Sequence, residues 1–156
     1  MSVWLQPELI AHARLMASSY QRLLGRELLP DCPDDAEFAT RMFELPFVVV
    51  SHGTEANPIL NYANQTALDL WKMDWETLTQ TPSRHTAEPM HRDERARMLD
   101  TVTRQGYIDD YAGIRIASDG SRFRIDQATV WNLVDSDGHH PGQAATFSDW
   151  HFLNAL

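Results

Sequence analysis

The sequence predicts an α+β domain: a five-stranded antiparallel sheet with helices on one face, preceded by an N-terminal helical extension. Three observations predict it. Two short strand-like segments, three helical segments and three further strands give the order β-β-α-α-α-β-β-β. The last three strands are joined by hairpin signals, so they form an antiparallel meander to which the first two must add. The apolar residues near the N-terminus recur at three- and four-residue steps, the period of an amphipathic helix.

In chain order, Leu5, Leu9, Ala13, Met16, Tyr20, Leu23 and Leu24 mark a helix from about Pro7 to Leu24. Pro7 suits an early helical position, Glu8 suits the first turn, and Gly25 ends or interrupts the helix. After the breaker "LLPDCPDD", the stretch "DDAEFATRMFEL" reads as a second short helix with Asp34 or Asp35 as N-cap. These helices either cover their own domain or form a dimer or partner surface. "PFVVVSH" and "NPILNYAN" are strands joined by the turn-like "GTEANP". The second strand runs into the helix "QTALDLWKM" with no glycine or proline at the join. Asn64 is placed there to cap free backbone groups. Ala63 and Ala67 allow close packing, with Leu68 and Trp71 directed at the sheet.

"DWETLTQ" is a short helix capped by Asp74, and "TPSRHTAEP" is a loop framed by Pro82 and Pro89. "MHRDERARMLDTVTRQG" is a longer helix closed by Gly106. "YIDDYAGIRIAS", the turn "DGS", "RFRIDQATVWNLV", the longer loop "DSDGHHPG" and "QAATFSDW" complete the meander. The expected division is an extension over 1–45, the sheet domain over 46–150 and a short tail over 151–156.

The chain has 156 residues, 43% hydrophobic and 22% charged, which is ordinary for one globular domain. Its net charge of -9 argues against direct nucleic-acid binding through an electropositive face. The single cysteine, Cys32, cannot form an internal disulfide, and a cytoplasmic location fits that usage. There is neither a secretory signal pattern nor an apolar run long enough to span a membrane.

The order of elements is that of a PAS domain, and "NYANQTALDLW" resembles the strand-to-helix junction of PAS-like chains. More specifically, the words "RLLGRELLP", "PFVVVSHGTEANPILNYANQTALDLW", "SRHTAEPMHRDERARML" and "GYIDDYAGIRIASDGSRFRIDQATVWNLVDSDG" closely resemble the MEKHLA domain family over roughly residues 20 to 150. That resemblance implies a PAS-like fold and a sensory or regulatory role. The family occurs as small stand-alone bacterial proteins and at the C-terminus of plant class III homeodomain-leucine-zipper factors. It implies no reaction, since fold does not fix function.

A PAS-type pocket would lie between sheet and helices. Strict alternation along "RFRIDQATVWN" puts Phe123, Ile125, Gln127, Thr129 and Trp131 on one face, the more apolar one, which should meet the helices. Gln127 and Thr129 would then either pair with each other or orient a ligand. Tyr111, Ile114 and Ile116 could join from the neighbouring strand. In the loop, Arg84 offers a planar fork for a carboxylate or phosphate, His85 titrates near neutrality, and Glu88 can pair with either. The expected ligand-binding set is therefore Arg84, His85, Gln127, Thr129, Tyr111 and Trp131.

No cofactor is fixed by the sequence. The resemblance to PAS domains leaves non-covalent flavin open, because Gln143 lies on the last strand, where flavin-binding PAS domains place a glutamine; it does not extend to their cysteinyl photoadduct, because Cys32 lies in the extension. Haem is open only through His85 or His91. His139 and His140 could bind a metal adventitiously, and no metal-ligand spacing is present. No phosphate loop or nucleophile elbow supports an enzyme. A small enzyme using Asp109, Asp126 or His85 in an apolar pocket is the third class, after a sensor and a closed-core interaction module. With no effector segment following, the signal is expected to leave through a partner protein, and a homodimer through Leu5, Leu9, Leu23 or Leu24 is the candidate assembly.

Overall fold

The computed structural model describes residues 2–153, so positions 154–156 of the expected tail lie outside the described residues. A short 3-10 turn at Val3–Leu5 precedes α1 (Pro7–Leu24) and α2 (Asp35–Phe43). β1 (Val48–His52) and β2 (Leu60–Ala63) follow, then α3 (Gln65–Trp71), α4 (Trp75–Leu78), a 3-10 turn at Ser83–Thr86 and α5 (Arg92–Gln105). β3 (Tyr107–Ile116), β4 (Arg122–Leu133), β5 (Gly142–Phe147) and β6 (Asp149–Phe152) complete the sheet. The strand order is β2-β1-β5-β4-β3, all pairs antiparallel. β2 and β3 are therefore the two edges of that path. The segment expected as one last strand is broken at Ser148. β5 pairs with Thr129–Leu133, and β6 carries on along Phe123–Asp126 of the same β4.

α3, α4 and α5 cover one face of the sheet, as expected, and the N-terminal helical extension, α1 and α2, covers the other. The cause is visible in β1, whose Val48, Val49 and Val50 are all buried. A strand buried on both sides gives a sheet with two apolar faces, and each needs a cover. Val48, Val50, Val130 and Phe147 pack under α3, α4 and α5. Val49, Tyr62, Trp131, Leu133 and Ala144 pack under α1 and α2. The amphipathic face of α1 is spent here. Trp131 Nε1 donates to the Met16 carbonyl at 3.2 Å, and Tyr20 meets the Trp131 ring edge-on at 5.0 Å between centroids. Leu9, Leu23 and Leu24 are half-buried against the same core, and Leu5 is 40% exposed.

The caps follow their residue types. Asp34 Oδ1 accepts from Glu37 N, and Asp74 Oδ1 from Thr77 N. Gly25 and Gly106 end α1 and α5 at φ of 72° and 88°, a region open to glycine at no steric cost. Asn64 does most. It is fully buried, and its Oδ1 accepts from Ala67 N and Val49 N, both at 3.1 Å. Its amide donates to the carbonyls of Phe47 at 2.8 Å and Met42 at 3.4 Å. One side chain thus caps α3, pairs with β1 and holds the end of α2.

β4 departs from alternation. Ile125 pairs with Gly113 and Ala128 with Tyr111, so Asp126 and Gln127 together oppose Ala112. Gln127 takes φ of 53°, the left-handed region of a bulged residue. A second bulge on β3, at Asp109–Asp110, restores the register. The extra residue flips the faces of β4 part-way along. Phe123 and Ile125 lie under α3 and α5, but beyond the bulge Ala128 and Val130 do, while Trp131 turns to α1. The expectation that Gln127, Thr129 and Trp131 share the face of Phe123 is corrected on this ground. Gln127 is exposed, and Thr129 is buried opposite Thr146.

Between α1 and the β1–β2 edge lies a small polar cluster. The Ser51 hydroxyl donates to Asn61 Oδ1 at 2.5 Å, which leaves its oxygen to accept from His12 Nε2 at 2.8 Å. Burial lowers the His12 pKa from 6.5 to about 4. The Tyr62 hydroxyl is buried beside it with no hydrogen-bond partner among the described residues, and burial pushes its pKa upward.

Three measurements check this account. Trp131→Ala should cost about 3–5 kcal/mol in denaturant unfolding, and a loss below about 1 kcal/mol would contradict its burial under α1. Asn64→Ala should cost about 3 kcal/mol or more, well above an ordinary cap, because it strands buried donors and acceptors as well as uncapping α3. His12 is held neutral in the fold but protonates near 6.5 when unfolded, so its contribution is present above about pH 6.5 and is lost as pH falls toward about 4. The change is roughly 3 kcal/mol at most. His12→Gln should flatten the stability profile across that window.

Candidate functional site

A partly open cavity of about 340 Å³ lies on the α3–α5 face of the sheet. Its floor is the sheet itself, with Val50, Leu60, Val130, Ala145 and Phe147 presenting apolar groups. Trp71 closes one end. Its indole N–H donates to the Thr86 carbonyl at 3.3 Å, so α3 is tied to the loop above.

That loop is the element that makes the cavity. Leu60 N donates to Thr81 O at 3.0 Å and Ser83 N to Pro58 O at 2.8 Å, which fastens residues 81–83 to the β2 edge. Ala87 bridges to Arg115, and Glu88 N donates to Ile114 O at 3.0 Å, which fastens the other end to the β3 edge. Residues 81–88 therefore cross the helix-covered face of the sheet from one edge to the other as a strap. α5 follows, and its Arg95 and Met98 complete the wall with Met90. Of α5, only Val102 is buried.

Tyr111, Gly113 and Arg115 alternate on the inner face of β3. The Arg115 guanidinium lies 5.3 Å from the Tyr111 ring centroid and reaches its hydroxyl at 3.4 Å. A Cβ at Gly113 would fall 2.9 Å from that hydroxyl, so glycine leaves the tyrosine its room. Arg84 donates from Nε to Asn57 Oδ1 at 3.0 Å. Glu88 lines the cavity too, with its carboxylate engaged by Arg122. His52 is on the rim, its Nδ1 2.9 Å from the Gly53 carbonyl. Gln143 donates from Nε2 to Asn132 Oδ1 at 3.2 Å.

Of the residues expected at the site, the cavity gathers Arg84 and Tyr111. His85 is exposed on the strap and absent from the lining; Gln127, Thr129 and Trp131 are carried away by the bulge. His91 is likewise outside, capping α5 with Nδ1 at 3.3 Å from Asp93 N. Neither expected haem ligand lines the cavity, whereas Gln143 does. Cys32 is buried in the α1–α2 core, so no thiol reaches the cavity. Asp109 is exposed, and Asp126 pairs with Arg124. Asp135, Asp137 and His139 bring ligand-type atoms within 4.8 Å of one another in the β4–β5 loop, but one Asp135 oxygen is already spent on the backbone N–H groups of Asp137 and His139. Sequence reasoning passed over Arg95, Arg115, His52 and the two methionines. Arg115 was open to discovery, since it shares the parity of Tyr111 on the same strand.

Such a sheet, with helices and a strap enclosing a cavity on one face, defines a PAS-like domain. Solved structures agree. The PAS domain of a protein from Colwellia psychrerythraea superposes with a TM-score of 0.60 at 14% identity, covering 72% of this chain and 93% of that one. An RNA-binding Light-Oxygen-Voltage receptor superposes at 0.63 and 14% identity, over 78% and 35%. The Aureochrome1 LOV domain does so at 0.53 and 18%, over 78% and 87%. At these identities the likeness is one of fold. The profile of the MEKHLA domain matches residues 10–152, and the chain belongs to that family. Homeobox-leucine zipper protein ATHB-9 of Arabidopsis thaliana is 26% identical over 152 residues, covering 94% of this chain and 18% of that protein. Homeobox-leucine zipper protein HOX10 of Oryza sativa subsp. indica is 23% identical over 148 residues, with 94% and 18% covered. The chain thus spans under a fifth of the length of these relatives. No described helix is long and apolar enough to cross a membrane.

Proposed function

We propose that this chain is a PAS-like sensory module that takes a small molecule into the strapped cavity and passes its occupancy to a partner protein. The cavity carries the reading. It has an apolar floor, a few polar groups at the rim and a volume of about 340 Å³, the make-up of a small-molecule site. A closed-core interaction module would have filled this interior with side chains. An enzyme with a free carboxylate in an apolar pocket draws little support, because the one carboxylate in the lining is engaged by Arg122.

The route out of the cavity is proposed to be α5. It contributes Arg95 and Met98 to the wall yet buries only Val102, so few apolar contacts hold it in place. A ligand that contacts α5 differently from the empty cavity shifts its position. A homodimer through α1 has little apolar surface left to use, since Leu9, Leu23 and Leu24 already pack against their own core. Self-association would have to rely on Leu5 and on surfaces other than the inner stripe of α1. The likeness to a segment of homeobox-leucine zipper proteins supports a regulatory setting.

Native mass spectrometry of the purified chain tests the reading. A co-purified small molecule that is lost on denaturation is expected, and Ala145→Phe, which fills the floor, should abolish it. A chain that carries nothing and is indifferent to Ala145→Phe in thermal-shift screens against small molecules would overturn the proposal.

A further inference from the structure

The chain carries a net charge of -9, and several of its cations meet a carboxylate. Arg14, Arg41, Arg97, Arg104, Arg122 and Arg124 each have one within salt-bridge distance. Among the described residues, Arg22, Arg26, Arg84, Arg92, Arg95 and Arg115 have none, and of these Arg84, Arg95 and Arg115 line the cavity. Arg84 is held by the neutral Asn57 and Arg115 by the neutral Tyr111 hydroxyl, so their charges are positioned without being cancelled. They come from three different elements: the strap, α5 and β3. Glu88, the one acid in the lining, is engaged by Arg122.

We propose that the ligand is an amphipathic anion: an apolar body that fills the space over Val130, Ala145 and Phe147, with one carboxylate or phosphate head group held by Arg84, Arg95 and Arg115. This rests on the reading of the cavity as a small-molecule site and names the chemistry that it selects. The guanidinium is a planar fork of donors matched to the oxygens of a carboxylate or phosphate, and it is more weakly hydrated than an ammonium. The methionines Met90 and Met98 beside it adapt to an apolar chain of irregular shape. Because Arg95 stands on the lightly held α5 and Arg84 on the strap, the head group would draw the two elements together.

Titration calorimetry on the full chain with decanoate, decyl phosphate and decan-1-ol tests this. The three probes share one apolar body and differ in the head group. At least one acid should bind roughly tenfold or more tightly than the alcohol, as expected for a charge-assisted hydrogen bond in place of a neutral one. The tighter acid identifies carboxylate or phosphate as the head group. Arg84 and Arg95 are exposed, so Arg84→Gln/Arg95→Gln should keep the melting temperature while cutting the preference for acid several-fold, with Arg115 left as the one remaining guanidinium at the head group. If alcohol and acids bind equally and Ala145→Phe abolishes all three, the anion proposal is wrong and the cavity reading stands. If none binds to the wild-type chain, the proposal of an amphipathic anion is wrong, and the cavity reading is judged by the native mass spectrometry and Ala145→Phe measurements alone. A double variant that retains the full preference for acid also overturns the assignment of the arginines.

Discussion

Asn64 is the constraint on which the rest of the structure depends. The chain must leave the β2 edge, turn into α3 and bring Trp71 over the sheet. It does so through a residue with no exposed surface. A buried amide has to satisfy both an oxygen and a nitrogen, and Asn64 satisfies them on four backbone groups drawn from α2, the approach to β1, β1 and α3. Neither Asp nor Ser offers the same pairing of acceptor and donor. By fixing where α3 starts, Asn64 fixes Trp71, and through the Trp71–Thr86 hydrogen bond it fixes one wall of the cavity.

The sheet is organised by a second constraint, the need to serve two cores at once. Three consecutive valines in β1 commit it to burial on both faces. The twin bulges in β3 and β4 then let a single long strand serve both. Its first half sends Phe123 and Ile125 up to α3 and α5, and its second half serves both faces, with Ala128 and Val130 up and Trp131 and Leu133 down at α1 and α2. The cost is one non-glycine residue, Gln127, held at positive φ. The result is that α1 and α2 are integral to the packing of the sheet, and their apolar faces are occupied before any partner arrives.

The strap turns a covered sheet face into a cavity. Backbone hydrogen bonds at both of its ends hold residues 81–88 across the sheet, and Ser83, Arg84, Thr86, Ala87 and Glu88 of the strap line the cavity. Apolar groups below and uncancelled guanidinium groups above divide the space into two chemistries. That division is what a ligand with a single charged end would recognise.

Much of this was legible in the sequence. Helix and strand periods placed α1 at Pro7–Leu24, local capping rules placed Asn64 and Asp74, and the order of elements gave the antiparallel sheet. These depend on residues within a few positions of one another, so the linear chain carries them. Tyr111 and Arg84 were also reachable, as a strand position beside the meander and as the cation of a polar loop. The misplacing of Gln127, Thr129 and Trp131 has one origin. Alternation assumes an unbroken strand, and a bulge is decided by the register of two strands whose residues Tyr111 and Ala128 pair across the sheet. The same holds for the second covered face, for the exposure of His85, and for the meeting of Arg84, Arg95 and Arg115 at one cavity. Each depends on which distant segments come to lie side by side, and only the tertiary structure decides that.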